Sequence, residues 1–301
     1  MHTRLVTLHS PILCAALLLG ACGLPNHHLI HPPAPAADVV TWTADFQRDG
    51  LLVHVEGARP AGSGPFPAVL VHPEGGKTAR DMHGVIWDLA GHGYVALAAD
   101  YRRWSRGAWR RNVIAWRSLE DARLLLDVTR AYSEVDQQRI GALGFSQGGV
   151  FSLLMAAHAP DRVRAVVAYY PVTDFPHWFA RPRSGMIERF VWSRIREWFR
   201  RESEAASDAE FELMLQRASA YYVAEDIRAP VLLLHGARDA LAPVEESRRM
   251  ADRLAAAGRT VELIVPEEGV HLFNFRQPIP AASAWTATLD WLDRWVRRAS
   301  S

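Results

Sequence analysis

Hydrophobic and polar positions along the chain follow two alternating patterns. Short, almost continuous apolar runs predict strands that are buried on both faces of a parallel sheet. They cover 68–71, 94–99, 140–145, 163–169, 231–234 and 261–265. The stretches between them predict helices at about 79–91, 111–131, 148–158, 243–257 and 282–298. This alternation predicts an α/β fold: a mostly parallel central sheet with helices on both faces.

The region before the first apolar run has a different pattern. Residues 39–46 alternate loosely and predict a strand, and residues 51–56 predict a returning strand. Asp49-Gly50 between them is a strong hairpin-turn dipeptide. The folded domain, which we assign to residues 39–301, is therefore predicted to open with an antiparallel hairpin.

One interval is too long for a simple connection between neighbouring strands. About 60 residues separate Tyr170 from Pro230. Large apolar side chains in this interval fit one helical face and are interleaved with arginines, the apolar positions being Ile187, Phe190, Val191, Ile195, Trp198 and Phe199. We interpret about 173–228 as a helical cap. The insertion starts at the carboxyl ends of the strands, and in open α/β folds ligands bind at that edge of the sheet. An extra helical pair on the sheet edge and a membrane-facing basic amphipathic helix are the alternatives.

Composition, net charge and cysteine content exclude several classes of protein. The chain has 301 residues, of which 49% are hydrophobic and 22% charged, as is typical of a globular protein with a substantial core. Its 34 basic and 33 acidic residues give a net charge of +1, which excludes a basic field for nucleic acid. Cys14 and Cys22 are the only two cysteines. The body of the chain therefore has no cysteine nucleophile, disulfide framework or cysteine-ligated metal.

The N-terminus predicts a secretion signal. Arg4 precedes an apolar stretch that is short for a stable spanning helix. The sequence LGAC at 19–22 resembles a bacterial lipobox, which implies removal of residues 1–21 and lipid attachment at Cys22. An ordinary signal peptide and a buried apolar segment are the alternatives.

The residues after Cys22 predict where the mature protein would lie. Residues 22–38 are rich in proline and histidine and predict a flexible tether. Gly23 favours, by resemblance to lipoprotein sorting signals, the outer membrane over the inner one. We therefore expect a lipid-anchored protein of the bacterial cell envelope that faces the periplasm.

A nucleophile motif joins a predicted strand to a predicted helix. The sequence GFSQG at 144–148 matches G-x-S-x-G. A sharp turn lifts the serine oxygen out of the sheet, and the glycines relieve crowding around it. The helix N-terminus stabilises nearby negative charge. Ser146 is therefore the predicted nucleophile, and the backbone N–H of Gln147 is a predicted oxyanion donor.

A serine hydroxyl needs a base that an acid holds in place. Asp239 follows the run at 231–234, and His271 follows the run at 261–265. Both would lie at the same edge of the sheet as Ser146, in the chain order of nucleophile, acid and base. Asp239 and His271 are the predicted acid and base. The rival acids are Asp174, Asp226, Glu267 and Glu268, and the rival bases are His72 and His235.

The loop at 72–76, HPEGG, follows the first central strand and is predicted to supply the second oxyanion donor. Pro73 has no N–H, so the donor is Glu74 or Gly75, with Glu74 preferred. Aromatic residues near strand ends or in the insertion are candidates for the pocket, with structural roles as the alternative. They are Tyr101, Tyr170 and Trp178.

These motifs resemble those of the α/β-hydrolase superfamily from about residue 40 to 298. The nearest likeness is to dienelactone hydrolase-like and prolyl oligopeptidase-like catalytic domains. The segments that carry it are 91–102, 139–149, 234–243 and 257–271. Dienelactone hydrolases use a cysteine where this chain has Ser146. The peptidases usually carry a large N-terminal propeller, whereas fewer than 50 residues separate Cys22 from the first central strand.

The sequence therefore predicts a lipid-anchored serine hydrolase that cleaves small carboxylic esters through an acyl-enzyme, without a metal or cofactor. An exopeptidase or oligopeptidase with the same three residues is one alternative. A binding protein of the cell envelope on an inactive hydrolase scaffold is the other.

Overall fold

The computed structural model describes residues 34–48, 51–100, 115–183 and 185–298. Several predictions concern residues outside these ranges: the signal peptide over 1–21, lipidation at Cys22, most of the tether, the turn at 49–50 and the pocket residue Tyr101.

One sheet organises the described part of the chain. Its strands are β1 Val39–Arg48, β2 Leu51–Pro60, β3 Phe66–His72, β4 Val95–Ala99, β5 Val135–Phe145, β6 Ala165–Tyr169, β7 Val231–Leu234 and β8 Val261–Ile264. The spatial order is β1-β2-β4-β3-β5-β6-β7-β8. The β1–β2 and β2–β4 pairs are antiparallel, and the remaining pairs are parallel. The predicted N-terminal hairpin and mostly parallel sheet are confirmed.

The helices lie between the strands, as the alternating pattern predicts. They are α1 His83–Gly91, α2 Ala115–Val128, α3 Gln147–His158, α4 Phe175–Ala180, α5 Met186–Ser203, α6 Asp208–Arg217, α7 Glu245–Ala256, α8 Phe273–Arg276 and α9 Pro278–Leu292. Short 3₁₀ segments occupy Ala79–Met82, Thr129–Ala131 and Ala220–Asp226, and a π-helical turn at Asp293–Arg297 follows α9. The helix expected at 282–298 begins earlier, because Pro278 suits the first turn of a helix.

Two apolar layers cover the two faces of the sheet. In β3, Leu70 points into one layer, whereas Val69 and Val71 point into the other. Each of these side chains is fully buried and contributes roughly 1.5–3 kcal/mol to folding. Strands that are apolar on both faces therefore form the rigid centre from which the loops at the carboxyl edge project.

The long interval between β6 and β7 folds as helices α4, α5 and α6 followed by the segment Ala220–Asp226. Phe199 of α5 is buried, and Trp192 packs edge-on against Trp178 of α4 with ring centroids 4.7 Å apart. The apolar positions do not all share this buried face. Ile187 and Phe190 are 80% and 60% exposed, because they lie on the opposite side of α5 from Phe199.

The described ranges contain no helix that is long and apolar enough to cross a membrane.

Candidate active site

Ser146 lies in a strained turn between β5 and α3. Its backbone has φ 51° and ψ −114°, a conformation that costs a non-glycine residue about 1–3 kcal/mol. A Cβ atom on Gly144 would overlap the carbonyl oxygen of Gly148, and a Cβ on Gly148 would overlap the carbonyl oxygen of His72. The two glycines of the motif are therefore required by close backbone approach on both sides of the serine.

Hydrogen bonds to neighbouring backbone fix this turn in place. The Ser146 N–H donates to the carbonyl of Tyr169 at 2.9 Å, which ties the turn to the end of β6. The Ser146 carbonyl accepts from the N–H groups of Gly149 and Val150 in the first turn of α3. Ser146 is half-buried at the positive end of that helix, where developing negative charge is stabilised.

The loops after β7 and β8 bring Asp239 and His271 together. His271 Nδ1 lies 2.6 Å from Asp239 Oδ2. The other carboxylate oxygen, Asp239 Oδ1, accepts from the N–H groups of Leu241 and Ala242 at 2.9 and 2.8 Å. The acid is thus held on both oxygens, and one of them orients the histidine ring. Ser146, Asp239 and His271 all follow the carboxyl ends of strands in the same sheet, as expected from the sequence.

Two glycines allow close contact between the loop after β7, which carries Asp239 (the acid loop), and the loop after β8, which carries His271 (the base loop). Gly236 and Gly269 approach so closely that a Cβ atom on either one would collide with the backbone of the other. Arg238 N–H donates to the Gly269 carbonyl at 2.8 Å across the same contact. Each of these glycines stands within three residues of a predicted catalytic residue.

Asp239 remains ionised over a wide pH range. Burial by itself raises the pKa of this carboxyl, but hydrogen bonds from His235 and His271 together outweigh it and lower the pKa to about 2. The permanent negative charge of Asp239 can therefore stabilise a positive charge on His271.

His235 supports the acid and is engaged on both ring nitrogens. Its Nδ1 lies 2.7 Å from Ser247 Oγ, and its Nε2 lies 2.6 Å from the Ala242 carbonyl. A carbonyl only accepts, so Nε2 carries the proton. That proton also lies near the acid, because Nε2 is 3.5 Å from Asp239 Oδ2. The structural role that the sequence favoured for His235 agrees with these contacts.

The other rivals have surroundings that differ from those of Asp239 and His271. Burial lowers the pKa of His72 to about 3, so its ring is neutral. Asp174 caps α4 by accepting from the His177 N–H at 3.1 Å, and its Oδ2 pairs with Arg249 at 2.8 Å. The remaining rival acids are exposed: Asp226, Glu267 and Glu268.

The loop after β3 meets the turn of the nucleophile. A Cβ atom on Gly75 would lie 3.2 Å from Gln147 Oε1, so the two predicted sources of oxyanion donors are adjacent. In the described part of the chain, the backbone N–H groups of Glu74 and Gly75 donate to no protein acceptor. Neither candidate for the second donor is therefore already used within the described part of the chain.

The side chain of Glu74 is a feature that sequence reasoning missed, because only its backbone was considered. Burial raises the pKa of this carboxyl to about 7, although the positive charges of Lys77 and Arg276 oppose the shift. Glu74 also acts on Tyr170: burial is the main cause of the high pKa of that phenol, and the Glu74 charge adds to it. A carboxyl that changes charge near neutral pH thus lies close enough to Tyr170 to affect its pKa.

Tyr170 and Trp178 support the site rather than standing open to solvent. Tyr170 is fully buried, its ring lies 4.7 Å from that of His271, and its hydroxyl donates to Asn274 Oδ1 at 2.7 Å. Trp178 is 6% exposed, and its indole N–H donates to the Leu241 carbonyl at 2.9 Å. The first residue packs on the base, and the second ties α4 to the acid loop.

No group of three or more His, Cys, Asp or Glu side chains in the described ranges is arranged to hold a metal ion. The chemistry that the arrangement supports is that of a hydroxyl, an imidazole, a carboxylate and backbone N–H donors at one edge of a sheet.

Comparison with known proteins establishes the family. The model of the prolyl oligopeptidase family matches residues 85–299, which is more than half of the chain. This chain belongs to the prolyl oligopeptidase family. As a member of that family, it is a hydrolase of the type found among dienelactone hydrolases, esterases and the related peptidases.

Relatives of this family member include proteins named for ester chemistry. A Methylorubrum extorquens protein named "Putative carboxymethylenebutenolidase" is 30% identical over 261 residues, which cover 81% of this chain and 77% of that protein. Esterase LipC of Mycobacterium tuberculosis is 26% identical over 254 residues, which cover 76% of this chain and 59% of LipC.

A solved structure shares the fold of this chain. Pyrococcus horikoshii acylaminoacyl peptidase superimposes with a TM-score of 0.73 at 18% identity, over 88% of this chain. The chain spans 43% of the length of that peptidase. The comparison confirms the expected α/β-hydrolase fold.

Proposed function

We propose that this hydrolase cleaves small carboxylic esters, with Ser146 as nucleophile, His271 as base and Asp239 as the orienting acid. The observation that carries the proposal is the 2.6 Å contact between His271 Nδ1 and Asp239 Oδ2, at the sheet edge where Ser146 occupies its strained turn. This combination supplies the three roles that acyl transfer to a serine requires.

The proposed reaction has two halves. Ser146 Oγ attacks the ester carbonyl while His271 Nε2 takes its proton, and Asp239 stabilises the resulting imidazolium. The backbone N–H groups of Gln147 and of Glu74 or Gly75 bind the oxyanion. The imidazolium then protonates the departing alcohol. Water attacks the acyl-enzyme in the second half, with His271 again as base, and releases the carboxylic acid and free Ser146.

Esters are the favoured substrates because the relative that is 30% identical to this chain is named as a carboxymethylenebutenolidase. A butenolide is a cyclic ester. A Bacillus subtilis protein named "Uncharacterized peptidase YtmA" is 24% identical and is covered over 90% of its chain, so a peptidase is also compatible with a domain of this size.

A peptidase is the second candidate, because the family that matches residues 85–299 is named for oligopeptidases. A direct test compares p-nitrophenyl acetate and butyrate with aminoacyl p-nitroanilides. We expect hydrolysis of the esters only, and loss of that activity in Ser146→Ala. Cleavage of both classes would favour the peptidase, and full ester activity in Ser146→Ala would exclude the proposed nucleophile.

A binding protein on an inactive scaffold remains testable in the same assay. If neither the esters nor the anilides are hydrolysed by a folded protein, the proposal fails and the binding function gains support. The exposed Ser133 precedes β5, at the opposite end of that strand from Ser146, and offers the control Ser133→Ala, which should retain wild-type activity.

We also propose that Cys22 carries the lipid anchor and that the protein acts at the cell envelope. The support is the lipobox-like sequence at 19–22 and the proline-rich stretch after it. Metabolic labelling with an alkynyl fatty acid in a bacterial host tests this directly. We expect labelling of the wild-type chain and none of Cys22→Ser; equal labelling of both would overturn the assignment.

A further inference from the structure

The N-terminal end of α5 presents large apolar side chains to solvent. Met186, Ile187 and Phe190 are 79%, 80% and 60% exposed. They occupy the first two turns of the helix, and Phe190 lies one turn after Met186 on the same side. We call these three residues the α5 tip. Exposed apolar side chains are common singly, but a contiguous group marks a surface that binds something apolar.

Arginines without acidic partners stand close to the α5 tip in the chain. Between residues 181 and 201 the chain has seven arginines and two glutamates. In the described ranges, three of these arginines form no ion pair with a carboxylate: Arg181, Arg189 and Arg194. The surface thus combines exposed apolar groups with uncompensated positive charge.

The side of α5 opposite the α5 tip is packed against the rest of the domain. Trp192, on the buried side of the same helix, packs against Trp178, and the Arg183 guanidinium lies 4.2 Å above the Trp192 ring. Arg183 Nη2 also donates to the Trp178 carbonyl at 3.0 Å. The exposed side chains are therefore presented by a fixed helix whose other face is already occupied.

We propose that the α5 tip docks on the surface of an anionic lipid bilayer. The apolar side chains would enter the headgroup boundary while the neighbouring arginines contact lipid phosphates, which is the usual arrangement of an interfacial helix. A second copy of the chain fits less well, because a symmetric contact through the tip would bring the arginines of both copies together. The docking does not depend on the proposed hydrolysis.

The predicted anchor is compatible with this orientation. Residues 22–38 would span at most about 55 Å, from roughly 3.3 Å per extended residue. An acyl chain at Cys22 would hold the domain near the bilayer, and the α5 tip would then set which face of the domain turns toward it.

A matched pair of labelling sites tests the proposal. Ile187 and Ile279 are both the second residue of a helix and are 80% and 86% exposed. Helix α9, which carries Ile279, contains no arginine. The full-length chain with Cys14→Ser and Cys22→Ser has no other cysteine, so Ile187→Cys and Ile279→Cys can each be labelled alone with an environment-sensitive nitrobenzoxadiazole dye.

We expect vesicles of phosphatidylethanolamine and phosphatidylglycerol to increase the emission at position 187 severalfold and shift it to the blue. Vesicles of phosphatidylcholine should have little effect, and position 279 should not respond to either. The response should weaken at high salt, because screening reduces the attraction. No response at 187, or equal responses at both positions, would overturn the proposal. A response without vesicles that grows with protein concentration would point to a second copy of the chain and also overturn it.

Replacing the three unpaired arginines sharpens the test. The variant Arg181→Gln/Arg189→Gln/Arg194→Gln should need roughly 100-fold more anionic vesicle for the same signal at position 187, from about fivefold per basic residue near such a surface. An unchanged titration would contradict the electrostatic part of the proposal. Ser146→Ala should give the wild-type fluorescence response, which separates the failure of docking from the failure of the proposed hydrolysis.

Discussion

The carboxyl edge of the sheet and helix α5 differ in which side chains they bury and which they expose. At the edge, Asp239 and His235 are buried polar groups whose partners lie within hydrogen-bonding distance. On α5, the apolar side chain of Ile187 is exposed and Arg189 has no acidic partner in the described ranges. The first arrangement fixes a geometry, whereas the second leaves a surface that can bind.

This difference separates two kinds of functional evidence. Buried polar groups cost free energy unless they are satisfied, so a satisfied network at a strand end indicates preorganisation for chemistry. Exposed apolar and unpaired charged groups indicate a missing partner. The contact between Trp178 and the Leu241 carbonyl joins the two regions, and the following variants test how far each depends on the other.

Removing the charge of the acid should have the largest effect. Asp239→Asn keeps the shape of the side chain but no longer holds His271 in the orientation that leaves Nε2 free to accept a proton. We expect kcat for an ester to fall about 10⁴-fold, as is typical for loss of the orienting carboxylate. The exposed rival acid Asp226 gives the matched control: Asp226→Asn should remain within twofold of wild type, and a similar loss there would contradict the assignment.

Separating the two loops should have the next largest effect. In Gly236→Ala the new Cβ would collide with the backbone of Gly269, which must move. We expect a loss of about 1–3 kcal/mol in the free energy of unfolding, together with a roughly 100-fold loss in kcat/KM from the displaced base. Gly91 has no neighbour within 4 Å of a Cβ, so Gly91→Ala should lower neither quantity. Chemical denaturation and ester kinetics measure both.

Neutralising Glu74 should have a pH-dependent effect on stability. The pKa of this carboxyl is about 7 in the folded protein and close to 4.5 when unfolded, so the folded state loses stability as pH rises from about 4.5 to about 7 and changes little above that. Glu74→Gln should therefore gain about 1–3 kcal/mol relative to wild type between pH 5 and pH 8.5. Denaturant titrations at the two pH values measure this gain; a constant difference between the proteins would contradict the altered ionisation.

Loosening the connection between the two regions should have the smallest effect. Trp178→Phe keeps an aromatic ring against Trp192 but removes the indole N–H that donates to the Leu241 carbonyl. We expect a loss of about 0.5–1.5 kcal/mol in stability and a severalfold reduction in kcat/KM. A larger kinetic effect than that of Gly236→Ala would show that the insertion, rather than the direct contact between loops, positions the acid.

The sheet could be predicted from the sequence because its strands are apolar on both faces and alternate with helices. The strand β7 at Val231–Leu234 agrees with its apolar run, and β8 differs from its run by one residue. Helix α8 at Phe273–Arg276 was missed, because one turn has no measurable periodicity. The observed bounds of a strand also differ from its apolar run where the strand propensity is weak. Strand β5 begins at Val135, whereas its run begins at residue 140.

The residues of the candidate site were predictable by type and by position after strand ends, but their contacts were not. Spacing alone could not show that the Asp174 carboxylate would pair with Arg249 instead of orienting a histidine ring. The ionisation of Glu74 depends on burial and on the charge of Arg276, which is 202 residues away in the chain. The exposure of Ile187 could not be predicted, because an apolar helical face in the sequence does not show which of its side chains are buried by the rest of the protein.

Covalent labelling of the proposed nucleophile tests the central claim most directly. The folded protein should react with a fluorophosphonate probe, and peptide mass spectrometry should find a single adduct on Ser146. Labelling should be lost in Ser146→Ala and strongly slowed in Asp239→Asn, while Ser133→Ala should react as wild type does. An adduct at another residue, or no adduct in a protein that hydrolyses esters, would contradict the account.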